Sequence, residues 1–381
     1  MTNNISENPR EQHPDIPQFA REKRDATLKD SCVLIMGQSP SSNTYNTSGD
    51  GLPFYQGNAD FGEENPVPRS WCTEPKKIAE KGDILISVRA PIGAINIADE
   101  KCCIGRGVAA IRPNQEVMST AFLQHQLFAS RSKLEAMGTG STFKAIGKKT
   151  LSDFPVVTYP MNIQEAIAQQ LSLIKKQIKT ANSRLDQLDS LVKSRFVEMF
   201  GDPNTCTTAN TIEDAFYIRD DLRKPLSGKE RAALRDGQLY PYYGANGQVD
   251  SINAYLTDCD ALCFAEDCGS YGSNENTAYI IRGKAWVNNH AHLLIPKYQN
   301  FLEYARIFYL LLDVNRYISG TTRAKLTQAQ LKRICIHIPS EKQLAEFADF
   351  VSQVDKLRFE TQQQIEKLET LKKSLMQEYF G

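Results

Sequence analysis

The chain has 381 residues, 41% of them hydrophobic, and its 45 basic and 45 acidic side chains leave a net charge of zero. That length suffices for two or three domains with cores of their own, and the apolar share is ordinary for a globular protein. Zero net charge excludes a globally basic surface, so any face for a polyanion must be local, and no apolar run reaches the roughly 18 residues that would span a membrane.

Taken in chain order, "MTNNISENPREQHPDIPQ" lacks an apolar h-region and reads as a polar tail over 1–24 with no secretory signal. The nine cysteines are scattered, which fits reduced thiols in a cytoplasmic protein. Cys259, Cys263 and Cys268 have poor spacing for zinc. A first α/β domain is expected over 25–160. In it "GDILISVRAPIGAINIADEKCCIGRGVAAIRP" (82–113) alternates β-rich runs with Gly/Pro punctuation, a meander of strands. Residues 119–135 read as helix and "LSDFPVVTYP" (151–160) as a strand. A long helix follows over 161–201. A second domain is expected over 202–339, with the same layout in "CDALCFAEDCGSYGSNENTAYIIRGKAWVNNHAHLLIP" (259–296). A helix then falls near 300–315 and a closing strand in "LKRICIHIP" (331–339). A second long helix occupies 340–381.

Within the first long helix Ile167, Leu171, Ile174, Ile178, Ala181, Leu185, Leu188 and Val192 recur in alternate steps of four and three, the a/d seam of a coiled coil. Phe347, Val351, Val354, Ile365 and Leu368 carry the seam in the second. Arg358, Thr361 and Lys372 interrupt it, and the breaks at Arg358 and Lys372 would leave surface open for partners. About 38 residues is longer than a globular surface needs, and at ~1.5 Å per residue each helix would run roughly 55–60 Å. The second helix is expected to return antiparallel along the first. The pair then acts as a spacer holding two similar domains about a pseudo-two-fold axis, as a single-chain reader of two half-sites requires.

The chain also repeats itself. "LDQLDSLVKSRFVEMFG" ends at Gly201 and "IEKLETLKKSLMQEYFG" at Gly381, an offset of 180 residues that brings Leu188, Leu191, Lys193, Ser194, Glu198 and Phe200 onto Leu368, Leu371, Lys373, Ser374, Glu378 and Phe380. The same offset sets "MGTGSTFKAIGKKT" (137–150) over "ISGTTRAKLTQAQL" (318–331). Both loops are basic, rich in hydroxyls and free of acid. Thr142 and Lys149 stand where a P-loop needs glycine and a hydroxyl, which excludes an ATPase cradle. Solvated turns before a strand are the plain alternative. Lysine and hydroxyl donors near glycine suit the phosphates of a nucleic-acid backbone. The candidates for that contact are Thr139, Ser141, Thr142, Lys144, Lys148 and Lys149, with Thr321, Thr322, Arg323 and Lys325 in the second copy. Planar or multidentate side chains on turns are candidates for reading bases: Gln38, Ser39 and Asn43, Arg89, then Tyr243, Asn246 and Gln248. Glu266-Asp267 is the best acidic pair but forms no convincing catalytic constellation. His290 and His292, two apart on one strand face, lack a third ligand and fit structural hydrogen bonding better than a metal.

"MGQSPSS" (36–42), "GDILISVRAPIG" (82–93), "YPYYGANG" (240–247) and "WVNNHAHLL" (286–294), with both loops and both helices ending in Phe-Gly, resemble the specificity subunit of type I restriction–modification systems. The resemblance covers nearly all of the chain beyond about residue 25. It implies two target-recognition domains, each reading half of a bipartite double-stranded DNA sequence. Two long helices would hold these domains apart and dock two modification (methyltransferase) subunits, with restriction subunits joining in some systems. S-adenosylmethionine, ATP and Mg would sit on those partners, and no cofactor, metal or catalytic residue is expected on this chain. No Asn-Pro-Pro-Tyr-like tetrapeptide or Walker motif argues otherwise. A stand-alone DNA-binding regulator with a coiled-coil ruler and a purely structural coiled-coil adaptor are the rival readings.

Overall fold

The computed structural model of the protein describes residues 22–140, 144–267, 271–275, 278–318 and 324–381. It divides into two units: residues 1–180 with 365–381, and residues 181–364. None of the described helices is long and apolar enough to cross a membrane.

The first unit is built on a four-stranded antiparallel sheet in the order Cys32–Met36, Val108–Pro113, Ile84–Ser87, Ile95–Ile97. Ile84, Ile86 and Ala109 turn one face of it onto Phe122, Leu123 and Leu127 of the helix Thr120–Ala129. The helix expected over 119–135 is thus two, because the chain breaks at Ser130 before Arg131–Ala136. A second, five-stranded sheet runs Tyr45–Asn46, Trp71–Cys72, Leu52–Tyr55, Cys102–Ile104, Ile78–Ala79, with one parallel junction where Phe54 faces Cys103. Arg24–Thr27 pairs with Pro155–Thr158, which closes the domain. His125, on the helix Thr120–Ala129, is buried, its Nε2 3.0 Å from Ser172 Oγ on the first long helix. Burial first, then the charges of Lys175 and Lys372, push its imidazole down to about 4.

The second unit repeats the plan. Its antiparallel sheet runs Phe216–Ile218, Ala291–Pro296, Ala261–Ala265, Ala278–Ile281. Its second sheet runs Gly247–Ile252, Tyr240–Gly244, Lys284–Val287, Thr257–Asp258, again with one parallel junction, where Tyr242 faces Trp286. Both domains open on the same device: Thr27 with Asp30, and Thr211 with Asp214, form capping boxes on one-turn helices, each of which satisfies otherwise orphaned N–H groups. The expected closing strand in 331–339 is reduced to a bridge between Thr211 and Cys335, flanked by bonds from Ile212 N to Ile334 O and Ile336 N to Asn210 O.

The long helices are Met161–Phe200 and Glu341–Phe380, 40 residues each. In the first unit Ile167, Leu171 and Ile174 share a core with Leu375, Tyr379 and Phe380, and Ile178 and Leu368 pack half-buried against it. Tyr379 donates to Gln170, accepts from Tyr159 through its carbonyl, and Phe380 lies edge-on to Phe122. In the second unit Leu188, Val192 and Phe196 share a core with Phe347, Val351 and Val354. Arg195 pairs there with Glu346, and Asp189 with Arg358, an antiparallel register. Leu185 is half-buried and Ile365 buried. The three polar interruptions do not open the seam. Thr361 is buried and returns its hydroxyl to Leu357 O. Arg358 is half-buried on Asp189 and Asp355, and Lys372 half-buried over the Phe128 ring. Side chains this long lay their stems on the seam and find partners for their heads.

Candidate nucleic-acid interface

Backbone bonds gather the first unit's candidates at one end of its four-stranded sheet. Gln38 N–H donates to Ile104 O at 3.0 Å, and Ser39 Oγ accepts from Arg106 N–H at 3.3 Å. Val88 N–H donates to Gly107 O at 2.9 Å, and Ile146 N–H donates to Val88 O at 2.9 Å. Ala90 N–H reaches Lys144 O, while Thr139 and Ala145 exchange a pair of bonds. Gln38, Arg89, Thr139 and Lys144 are all exposed on this rim. Gly37 must be glycine, since a Cβ there would collide with the Gly105 and Val108 carbonyls. Asn43 is exposed in the turn Ser42–Thr44, and Lys148 and Lys149 open the short helix Lys148–Ser152. Ser141 and Thr142 lie outside the described residues. Arg106, exposed between Gly105 and Gly107, belongs to the same rim. Its signal in the sequence was a lone arginine in a Gly-x-Gly turn between two strands.

The second unit forms the same rim by the same bonds. Lys224 N–H donates to Val287 O as Gln38 does to Ile104, and Glu266 N–H donates to His290 O as Val88 does to Gly107. Leu326 N–H closes onto Glu266 O at 2.8 Å, the counterpart of Ile146 on Val88. This register makes exposed Lys224 and Asn289 the counterparts of Gln38 and Arg106. Neither stood out in the sequence, because the repeats differ there. Of the residues singled out earlier, Tyr243 is half-buried on a strand, its ring stacked on Tyr279 at 5.6 Å, and burial raises its phenol. Asn246 is exposed in the hairpin turn, and Gln248, on the returning strand, donates to Ser251. Lys325 places its ammonium 3.0 Å from Glu266. Thr321, Thr322 and Arg323 lie outside the described residues.

Beneath the second rim sits a network of charges. His292 is fully buried, with Nδ1 2.7 Å from Asp220 and Nε2 2.9 Å from the Leu326 carbonyl. Arg223 bridges Asp220 at 3.0 Å and Glu266 at 2.6 Å. Burial opposes ionisation of both carboxyls. His292 with Arg223 outweighs it at Asp220, and Arg223 with Lys325 outweighs it at Glu266, so both lie below the ordinary range. His290 is in the turn before the strand and not on it, and it pairs separately with Asp267 at 2.6 Å. The two histidines therefore do not share a face. Among the described residues no group of three His, Cys, Asp or Glu side chains is placed to hold a metal.

A sequence profile for the type I restriction modification DNA specificity domain matches residues 21–190 and again 211–370. The chain is 42% identical over 160 residues to a protein assigned in Methanocaldococcus jannaschii as the MjaX specificity subunit of a type I restriction enzyme, covering 42% of this chain and 38% of that one. It is 32% identical over 130 residues to a protein from Haemophilus influenzae assigned as a type I restriction enzyme specificity subunit, covering 34% and 32%. These matches span less than two fifths of the relatives' own length. The crystal structure of a type I restriction–modification S subunit from M. genitalium shares the fold, with a TM-score of 0.61 at 16% identity over 94% of this chain and 96% of that one. With its domain matched twice over most of its length, the chain belongs to the type I restriction–modification DNA specificity family.

Proposed function

We propose that the chain is a non-catalytic subunit that binds double-stranded DNA and specifies a bipartite target for a type I restriction–modification complex. The observation that carries this reading is one α/β domain built twice, each copy presenting an exposed rim of amides, hydroxyls and cations on the same strand ends. In it Lys144, Lys148, Lys149 and Thr139, with Lys325 and the residues at 321–323, position phosphates. Gln38, Arg89, Asn246 and Gln248, joined by Arg106, Lys224 and Asn289, face base edges. Phosphate contacts fix register, and base contacts supply specificity.

The partners in this reading are two modification subunits, with restriction subunits where the system has them. Leu191 and Leu371, equivalent in the repeat, are 47% and 46% exposed, one in each unit. A pair of matched apolar anchors suits two copies of one partner. S-adenosylmethionine, ATP and Mg then belong to those partners, and the work is done in the cytoplasm, on DNA.

Methylome sequencing of cells carrying this chain with its neighbouring methyltransferase, against cells lacking this chain, tests the proposal. The expected result is an asymmetric two-part methylated motif that disappears with the chain. An unchanged methylome leaves the stand-alone DNA binder as the better account. At the level of residues, Lys144→Ala should weaken binding about equally on cognate and random duplexes and flatten the salt dependence by about one phosphate's worth. A loss confined to cognate DNA would contradict its role at the backbone.

A further inference from the structure

The bonds around His292 fix its protonation without any titration. Its Nδ1 faces the Asp220 carboxylate and its Nε2 faces the Leu326 carbonyl, and both are acceptors only. Each ring nitrogen must therefore donate, and only the imidazolium carries two N–H groups. The groups facing the ring from every packed element agree. Asp220 and Glu266, 3.8 Å away, supply two negative charges, and Arg223 supplies one positive charge to both. Lys325 caps Glu266 from the exposed side, and Gln328 donates to Asp220 at 3.0 Å. A neutral ring would leave a lone pair against an acceptor in a fully buried site, where an unmade bond costs most.

We propose that His292, held as an imidazolium, is the positioning residue that ties the segment 324–328 to the second sheet and so sets how Lys325 is presented to DNA. The DNA part of this inference rests on the function proposed above; the anchor itself does not. The first domain makes the same junction without a charge: Ala109, Val88 and Met36 occupy the positions of His292, Glu266 and Asp220, and the Ile146–Val88 backbone bond does the holding. The anchor works where Asp220 and Glu266 are ionised and His292 is protonated. Both carboxyls lie below their ordinary values of 3.8 and 4.5, so its carboxylate side persists into acid.

Two readouts on the full chain test the anchor without DNA. In 15N-histidine NMR of the wild type, His292 should show both ring nitrogens protonated at neutral pH, and a neutral tautomer overturns the proposal. Hydrogen exchange of 324–331, corrected for intrinsic rate, should then quicken at least tenfold as that ring titrates, and likewise in His292→Ala. The peptide 144–151 should hold in both cases. Unchanged protection of 324–331 overturns the anchor, and the wild-type titration decides this even if the variant fails to fold. In the methylome assay, His292→Ala should relax one half of the motif and keep the other. If the anchor is released while both halves stay intact, the link from anchor to DNA reading is wrong; if wild type yields no motif at all, the proposed function is wrong and the anchor stands.

Discussion

The two units solve one structural problem with opposite chemistry. At the junction of strand end and loop the first unit places Ala109, Val88 and Met36, the last of them half-buried, whereas the second places His292, Glu266 and Asp220 with Arg223 beside them. The backbone path is conserved between the two, down to the bonds from Ile146 to Val88 and from Leu326 to Glu266. The comparison teaches that the fold here is set by strand register and not by side-chain type. A buried ion network gains little over apolar packing in stability, yet it is far less tolerant of losing one member. Their histidines differ too: burial pushes the imidazole of His125 in the first unit down to about 4, while His292 of the second lies between the Asp220 carboxylate and the Leu326 carbonyl.

The two tryptophans fall one to each unit, Trp71 in the first and Trp286 in the second, so replacing either by phenylalanine lets fluorescence follow one unit at a time. The largest expected effect is on the second unit. Asp220→Ala strips a partner from both Arg223 and His292 and should cost about 3–5 kcal/mol in the Trp286 transition, whereas Met36→Ala should cost the Trp71 transition roughly half as much, since the side chain is only partly buried. Equal losses would break the contrast. Next comes acid. His125 has a folded-state pKa of about 4 against an ordinary 6.5, so the folded first unit binds fewer protons than the unfolded chain between those values. The stability tied to this is fully present above 6.5 and lost as pH falls towards 4, up to about 3 kcal/mol. Denaturant midpoints of the Trp71 transition should show it, and His125→Leu should flatten it. The smallest effect sharpens the likeness instead: Asp30→Ala and Asp214→Ala, which each break one capping box, should cost about 1 kcal/mol apiece, each in its own unit's transition alone.

What was legible in the sequence was whatever repeats by simple periodicity. The four–three spacing that selects Ile167, Leu171, Ile174 and Leu188 selects residues that the structure buries. The shared offset of 180 residues likewise marks the helix ends and loops, where the copies keep the same length. The sheets were not legible as a repeat, because their insertions move the counterparts to either side of that offset: Cys32 matches Phe216, Val88 matches Glu266, Gly107 matches His290. With the register hidden, Lys224, Asn289 and Arg106 could not be seen as rim residues, and Tyr243 could not be seen to lie against Tyr279. Nor does spacing reveal that Arg358 and Lys372 stay within the seam, since that depends on partners such as Asp189 and Phe128 brought up by tertiary contact.

One feature of the architecture acts before the protein is finished. The second unit is a continuous stretch, but the first takes residues 365–381 into its core, with Leu375, Tyr379 and Phe380 packed among the residues of 122–174. On the ribosome the first unit therefore waits for nearly two hundred further residues, about 10–40 s of synthesis, with the apolar stripe of Ile167, Leu171 and Ile174 uncovered. The domain that begins first is completed last, which makes this interval the point at which chaperones, proteases or a partner's helix compete for the nascent chain.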